Sequence, residues 1–240
     1  MNICVFADIH GNLTSLKLFF ETQDFKTADK IIFLGDVVGC GRPNECIEFL
    51  QKSKCDCLLG NNDSYVCKKL PKNHDFSKEK ISQTKYMQDV VTPNNKKFVM
   101  SWLKELYFIS GNKKLYFTHY PWESEEDVVD DPNFKTLEVR QKMFEYIDAD
   151  YVFFGHEHKT SMFEDKHKHY CCISAGGLKN PCSYFYINVD EKNNITIQEK
   201  FIEYDMSQEI KILEKNKHLW LGSEKLIEKL RKTSKIIKNN

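Results

Sequence analysis

The chain reads as an α/β protein, and three observations carry that reading. Short apolar runs of strand length alternate with segments whose apolar residues recur at helical spacing. From YVFFG to Tyr204 the pattern turns mainly β, so mixed or antiparallel pairing is expected there rather than a purely doubly wound sheet. Ionisable side chains also fall just past the predicted strands, where α/β sheets gather ligands. At 240 residues the chain is long enough to bury its own core, with a single domain as the default.

Residues 2–7, NICVFA, form the first expected strand, followed by a helix through Leu13, Leu16, Phe19 and Phe20 with Asn12 placed to cap it. Residues 30–34 are the second strand. A helix over 43–52 follows, with Pro43 near its first position and Cys46, Ile47 and Leu50 on one face. CLLG, residues 57–60, is the third strand. Thr92 and Pro93 open a helix expected over 93–106, with Phe98, Trp102 and Leu106 at four-residue steps. LYFISGNKKLYFTHY reads as two strands around a Gly-Asn-Lys-Lys turn. A helix through Met143, Phe144 and Ile147 leads into YVFFG, then HYCCIS, YFYINV and ITIQEKFIEY complete the β-rich part. No internal repeat or low-complexity linker is evident.

Thirty-five basic residues balance thirty-five acidic ones, so net charge gives no reason to expect a nucleic-acid or anionic membrane partner. No stretch approaches the roughly 20 apolar residues that span a bilayer, and the amino terminus, MNICVFADIHGN, carries no leader pattern. Nine cysteines at irregular spacing are read as reduced and mostly buried. A cytoplasmic protein is expected.

The strand ends hold the chemistry. CVFA runs into Asp8-Ile9-His10, and a two-residue step on an extended chain is expected to aim both side chains to one side. IIFLG ends in Asp36, CLLG in Asn61, LYFT in His119, and VFFG in His156-Glu157-His158. Taken singly, each has a plain alternative: a His-x-His on a surface strand, a helix cap at Asp36, an Asx turn at Asn61. Those alternatives must hold at five strand ends together. Two carboxylates, one amide oxygen and four imidazoles are too many for a single tetrahedral ion but suit two ions sharing a carboxylate. Manganese, iron, zinc and nickel all fit mixed oxygen and imidazole donors, and donor type does not choose among them.

These blocks resemble the calcineurin-like metallophosphoesterases. Asp8-Ile9-His10-Gly11-Asn12, Gly35-Asp36-Val37-Val38-Gly39, Gly60-Asn61-Asn62-Asp63, Thr118-His119 and Gly155-His156-Glu157-His158 occur in the family's order. Asp-Ile-His-Gly-Asn, with Pro43-Asn44-Glu45 after the second block, looks most like the small bacterial and archaeal phosphodiesterase branch. The resemblance implies a four-layer αββα sandwich of two mixed sheets flanked by helices. It also implies two divalent ions, manganese favoured, one held by Asp8, His10, Asp36 and His158 and the other by Asp36, Asn61, His119 and His156. Asp63 is implied behind the ligands. The implied reaction is hydrolysis of a small phosphoester, with a phosphodiester favoured, by in-line attack of a hydroxide bridging the ions. A phosphomonoesterase, phosphoprotein or nucleotide polyphosphate phosphatase using the same centre is the alternative, and a catalytically silent scaffold of the same fold a further one.

Two positions depart from the family pattern. Many members carry His where Asn62 stands, and an amide donates a hydrogen bond but delivers no proton near neutral pH; its plain alternative is a turn-shaping residue. The second block continues through Cys40-Gly41-Arg42-Pro43, and Arg42 is a candidate guanidinium clamp on the substrate phosphate. The metallophosphoesterase domain is expected over 1–205, with 206–240 a basic amphipathic extension packed on it. From Lys211 to Asn240 nine Lys or Arg stand against three Glu, and Leu226, Leu230 and Ile237 share a helical face joined by Ile227. ESEEDVVDD, with six acids between Glu123 and Asp131, reads either as a solvated connection or as a loop that repels highly anionic substrates. His167 and His169 repeat the two-residue step beside Cys171 and Cys172, where a second metal site is conceivable.

Overall fold

The computed structural model describes residues 1–68, 70, 76–122 and 136–236. In chain order these form β1 (Asn2–Phe6), α1 (Leu13–Glu21), α2 (Gln23–Thr27), β2 (Lys30–Phe33), α3 (Pro43–Lys52), β3 (Asp56–Cys57), α4 (Asn61–Cys67), α5 (Lys78–Val90) and α6 (Pro93–Val99). There follow β4 (Glu105–Ser110), β5 (Lys113–Thr118), α7 (Leu137–Met143), β6 (Tyr151–Phe154), β7 (Ser161–Glu164), β8 (His169–Cys172), β9 (Cys182–Val189) and β10 (Ile195–Ile202). Helix α8 (Ser207–Asn216), a 3-10 turn over Lys217–Leu219 and α9 (Ser223–Ile236) end the described chain.

Two mixed five-stranded sheets result, ordered β10-β9-β1-β2-β3 and β4-β5-β6-β8-β7. Parallel pairing joins β1, β2 and β3, and β9 closes on β1 antiparallel, with Val5 opposite Ile32 on one side and Phe185 on the other. In the second sheet β5, β6 and β8 run parallel, and β4 and β7 are antiparallel edges. Alternation along the strands sorts the layers. Phe6 packs on Phe19 of α1 and Phe25 of α2, Phe153 meets Phe185 across the two sheets at 6.4 Å, and Phe154 packs on Phe144 at the end of α7. The expected helix, sheet, sheet, helix order is therefore observed. Isolated bridges from Ala7 to Ala175 and from Leu58 to Leu103 join the sheets just beyond the ends of β1 and β3.

The expected caps form: the Asn12 side chain accepts from Ser15 N–H, and Thr92 accepts from Asn95 N–H at the start of α6. Three segments differ from expectation. The helix expected over 93–106 stops at Val99, because Trp102 turns back to pack on Phe33 and Phe98 while Leu106 enters β4. Tertiary packing, not a continued helix, satisfies that four-residue spacing. The strand expected over 57–60 is regular only at Asp56–Cys57, and the helix expected through Met143 to Ile147 ends at Met143. Helix α5 was not legible, since it buries only Thr84 and Met87 and most of its other residues are polar.

Met206, Ile210, Leu213, Trp220, Ile227 and Leu230 bury against Cys40, Ala175 and Leu178, while Ile237 lies outside the described residues. All nine cysteines are free thiols, six of them buried. Among the described residues no helix is long and apolar enough to cross a membrane.

Candidate metal centre

The turn that follows β1 is not the extended step expected from Asp8-Ile9-His10. Asp8 and His10 adopt φ of 56° and 48°, Asp36 63°, and His156 and His158 69° and 54°. Left-handed backbone is uncommon in residues with a Cβ. Among the described residues the remaining non-glycine case is Asn193, in the turn between β9 and β10. The two-residue steps thus converge through curled turns, which tuck both side chains under the sheet edge. Hydrogen bonds from Asp8 N to Gly35 O (2.9 Å), His10 N to Asp36 O (3.0 Å) and Gly11 N to Val37 O (2.7 Å) hold the first two turns against each other. Such over-determination is what lets a strained backbone persist.

Side chains from all five strand ends meet there. One ligand atom each from Asp8, His10, Asp36 and His158 lie within 4.8 Å of one another. His158 Nε2 stands 3.3 Å from Asp8 Oδ1 and 2.9 Å from His10 Nε2. On the other side Asn61 Oδ1 sits 3.0 Å from His119 Nε2 and 3.1 Å from His156 Nδ1. Asp36 lies between the groups, its Oδ2 being 3.9 Å from His10 Nε2 and 3.6 Å from His119 Nε2. Asp36 thus stands within 4 Å of an imidazole on each side.

Three further observations fit a cation. Among the described residues Asp8 Oδ1, which is buried, has no hydrogen-bond partner, and that is costly for a carboxylate unless a positive group faces it. His10 Nδ1 lies 2.9 Å from Val38 O and His119 Nδ1 3.0 Å from Leu34 O, contacts in which Nδ1 donates to the carbonyl and Nε2 is the ring nitrogen turned to the cluster. Gly60 leaves room for Asp36: a Cβ there would stand 2.2 Å from Asp36 Oδ1.

Electrostatics separates the groups by role. Burial opposes ionisation of Asp8, but His158 and His10 outweigh it and hold the carboxyl well below its ordinary range. Asp36 is likewise lowered, burial being overcome by His119 and His10. Burial, reinforced by His119, pushes His156 down to about 3, so its imidazole is neutral and able to act as a ligand. Asp63 differs. Burial and the Asp36 carboxylate push it up to about 8, against N–H donations from Asp36 (2.8 Å), Val38 (3.1 Å) and Gly60 (3.1 Å). It ties the second block to the third and places Asp36 without facing the ligand cluster.

Asn62 is bound from both sides. Its N–H donates to Asp36 Oδ1 (2.8 Å), its amide NH₂ donates to Asp36 Oδ2, and its amide oxygen accepts from Lys80 Nζ. Arg42 is engaged elsewhere: its guanidinium pairs with Glu209 of α8 and donates to Thr14 Oγ1 (3.3 Å). Glu209, 3 % exposed, also accepts from Thr14 N–H and hydroxyl. Sequence reasoning missed Glu209, Lys80 and Arg140. Arg140 of α7 is 1 % exposed, donates to Glu157 Oε2 (2.8 Å) between the two histidines of the last block, and lies over Phe154 and Phe163. An arginine at a helical position gives no sequence signal of burial, and only the acid inside His-Glu-His hinted at a partner.

Among the described residues His167 and His169 join no group that could hold a metal ion. His169 stacks on Tyr151 and its Nδ1 faces Glu164 at 3.3 Å, while Cys171 and Cys172 point into separate cores. The acidic stretch 123–131 lies outside the described residues.

Comparison with known proteins agrees with this architecture. The family model for calcineurin-like phosphoesterase matches residues 1–160. Over 246 aligned residues the chain is 28% identical to an uncharacterized protein of Methanocaldococcus jannaschii, covering 92% of this chain and 95% of that one. The crystal structure of a metallophosphoesterase from Sphaerobacter thermophilus superposes with a TM-score of 0.69 at 16% identity, covering 97% of this chain and 99% of that one. A hypothetical protein from Pyrococcus horikoshii superposes with a TM-score of 0.74 at 15% identity, covering 97% of each. At such identities the two structures speak for the fold.

Proposed function

We propose, from the premise that this chain belongs to the calcineurin-like phosphoesterase family, that it is a two-metal phosphodiesterase acting on a small phosphate diester. The observation that carries this reading is Asp36, whose carboxylate lies between His10 on one side and His119 on the other. Asp8, His10 and His158 would hold one ion, Asn61, His119 and His156 the second, and Asp36 both. Manganese is favoured, with iron, zinc and nickel admitted by the same donors. Two such ions supply charge that offsets the phosphate's and make water a nucleophile near neutral pH.

The chain's own groups do the positioning. His10 and His119 are fixed by the backbone carbonyls of Val38 and Leu34, and Asp63 fixes the turn that carries Asp36. Asn62 donates to Asp36 and has no proton to deliver to a departing oxygen. That favours diesters and other substrates whose leaving groups depart without protonation. The free thiols support a reducing, cytoplasmic setting.

Hydrolysis of bis(p-nitrophenyl) phosphate and p-nitrophenyl phosphate, compared across manganese, nickel, zinc and magnesium, tests the assignment. A diester preference in kcat/KM is expected, with manganese among the activating ions. A strong monoester preference would overturn it, and bound metal without turnover of either ester would point to the silent scaffold.

A further inference from the structure

Among the described residues, Arg42 and Lys80 are cations set beside the blocks that carry the cluster. Arg42 is committed to Glu209, a buried carboxylate of the C-terminal extension. Lys80 lies on α5, and its Nζ donates to the Asn62 oxygen while the Asn62 amide donates to Asp36. A lysine only donates and a carboxylate only accepts, so the amide between them has one permitted orientation. Lys80 is close enough for its charge to lower the Asp36 carboxyl.

The helix that carries it is fastened at several points. Gln83 donates to Gly39 O in the second block (2.5 Å), Ser82 Oγ accepts from Leu221 N–H (2.9 Å), and Lys225 Nζ reaches Glu79 (3.2 Å). The Lys80 side chain also crosses the Tyr65 ring of α4, its Nζ 5.3 Å from the centroid. A long flexible cation is thus held at the edge of the cluster by α4, the second block and the extension together. An ammonium so placed can turn from the amide oxygen to an anionic oxygen without moving its helix, because lysine presents three donors on a rotatable stem.

Resting on the two-metal reading above, we infer that Lys80 is a substrate-binding residue whose ammonium contacts a non-bridging oxygen of the phosphate, with Asn62 holding it ready. The ligand class is a phosphate or phosphoester anion held jointly by this ammonium and the metal cluster. No bond is made or broken by Lys80; it supplies charge and one or two hydrogen bonds.

The test uses manganese-loaded full-length wild type, Lys80→Met and Lys80→Arg. Metal content, inorganic phosphate affinity by calorimetry, and kcat and KM for bis(p-nitrophenyl) phosphate are measured on each. Lys80→Met is expected to keep wild-type metal content while phosphate affinity and kcat/KM fall about tenfold to a hundredfold, the scale of a hydrogen bond to a charged group, with Lys80→Arg regaining a large part of both. Unchanged phosphate affinity in Lys80→Met would overturn the inference, and so would loss of metal in that variant, which would assign Lys80 to the support of Asp36. Phosphate binding is read without turnover. A wild type that hydrolyses neither ester would therefore count against the phosphodiesterase reading and leave the Lys80 result to stand on the titration.

Discussion

Asp8-Ile9-His10 and His167-Lys168-His169 show the same two-residue step in sequence and opposite outcomes in structure. In the first, both end residues take left-handed backbone and their side chains are buried in a cluster with Asp36 and His158. In the second, His169 begins β8, stacks on Tyr151 and faces the exposed Glu164. His156-Glu157-His158 sides with the first. The difference teaches that spacing does not make a metal site here. What matters is a turn past a parallel strand, clamped by backbone hydrogen bonds from a neighbouring turn, so that strain is held and two ligands point inward together.

The largest expected effect breaks the clamped region at its shared point. Asp36→Asn removes the carboxylate lying between both ligand groups, and turnover of bis(p-nitrophenyl) phosphate should fall by about 10²–10³-fold, the scale lost with one principal electrostatic group. A His167→Ala, His169→Ala double variant should retain wild-type metal content and turnover. Equal losses in the two proteins would erase the distinction between the regions.

A smaller effect is expected where the extension braces the first turn. Arg42 N donates to Gly11 O (2.8 Å), and the Arg42 side chain ties that loop to Glu209. Arg42→Met leaves a buried carboxylate with only the Thr14 donors among the contacts described. Unfolding free energy should drop by about 2 kcal/mol, under the range for a fully buried pair because Arg42 keeps some exposure. Urea denaturation measures it. A rise in diester KM without any loss of stability would instead restore the guanidinium clamp.

The smallest effect concerns Cys40, which lies beside the first turn and donates through sulfur to His10 O at 3.0 Å. Burial, with Glu209 adding to it, pushes this thiol up to about 12. The deprotonated form is lost below that value, so at pH 8 only roughly one molecule in 10⁴ carries the reactive thiolate. Alkylation of native protein by iodoacetamide, followed by peptide mass mapping, should leave Cys40 unmodified while partly exposed Cys57 reacts. Rapid native labelling of Cys40 would mean that the turn opens readily.

The positions that gather in the cluster were legible because residue type at a strand end marks them. Asp8, His10, Asp36, Asn61, His119, His156 and His158 each follow an apolar run, and a strand end fixes where such residues go. The backbone that aims them was not legible. Nothing in Asp-Ile-His distinguishes an extended step from a left-handed turn, because the turn is imposed by Gly35, Asp36 and Val37 from elsewhere in the chain. Distance in sequence hid the supporting residues for the same reason. Lys80 reaches Asn62 from a mostly polar helix, Glu209 reaches Arg42 from the extension, and Arg140 is buried beneath the last block. The helix expected over 93–106 failed because Trp102 and Leu106 met partners in the core rather than on one helical face.

The claim that two ligand groups share Asp36 is tested most directly by metal stoichiometry. Protein saturated with manganese, cleared of loosely held ion by gel filtration and analysed by inductively coupled plasma mass spectrometry should contain two ions per chain, with Asp36→Asn losing both or retaining one weakly. One ion or none in the wild type, or two in Asp36→Asn, would contradict it.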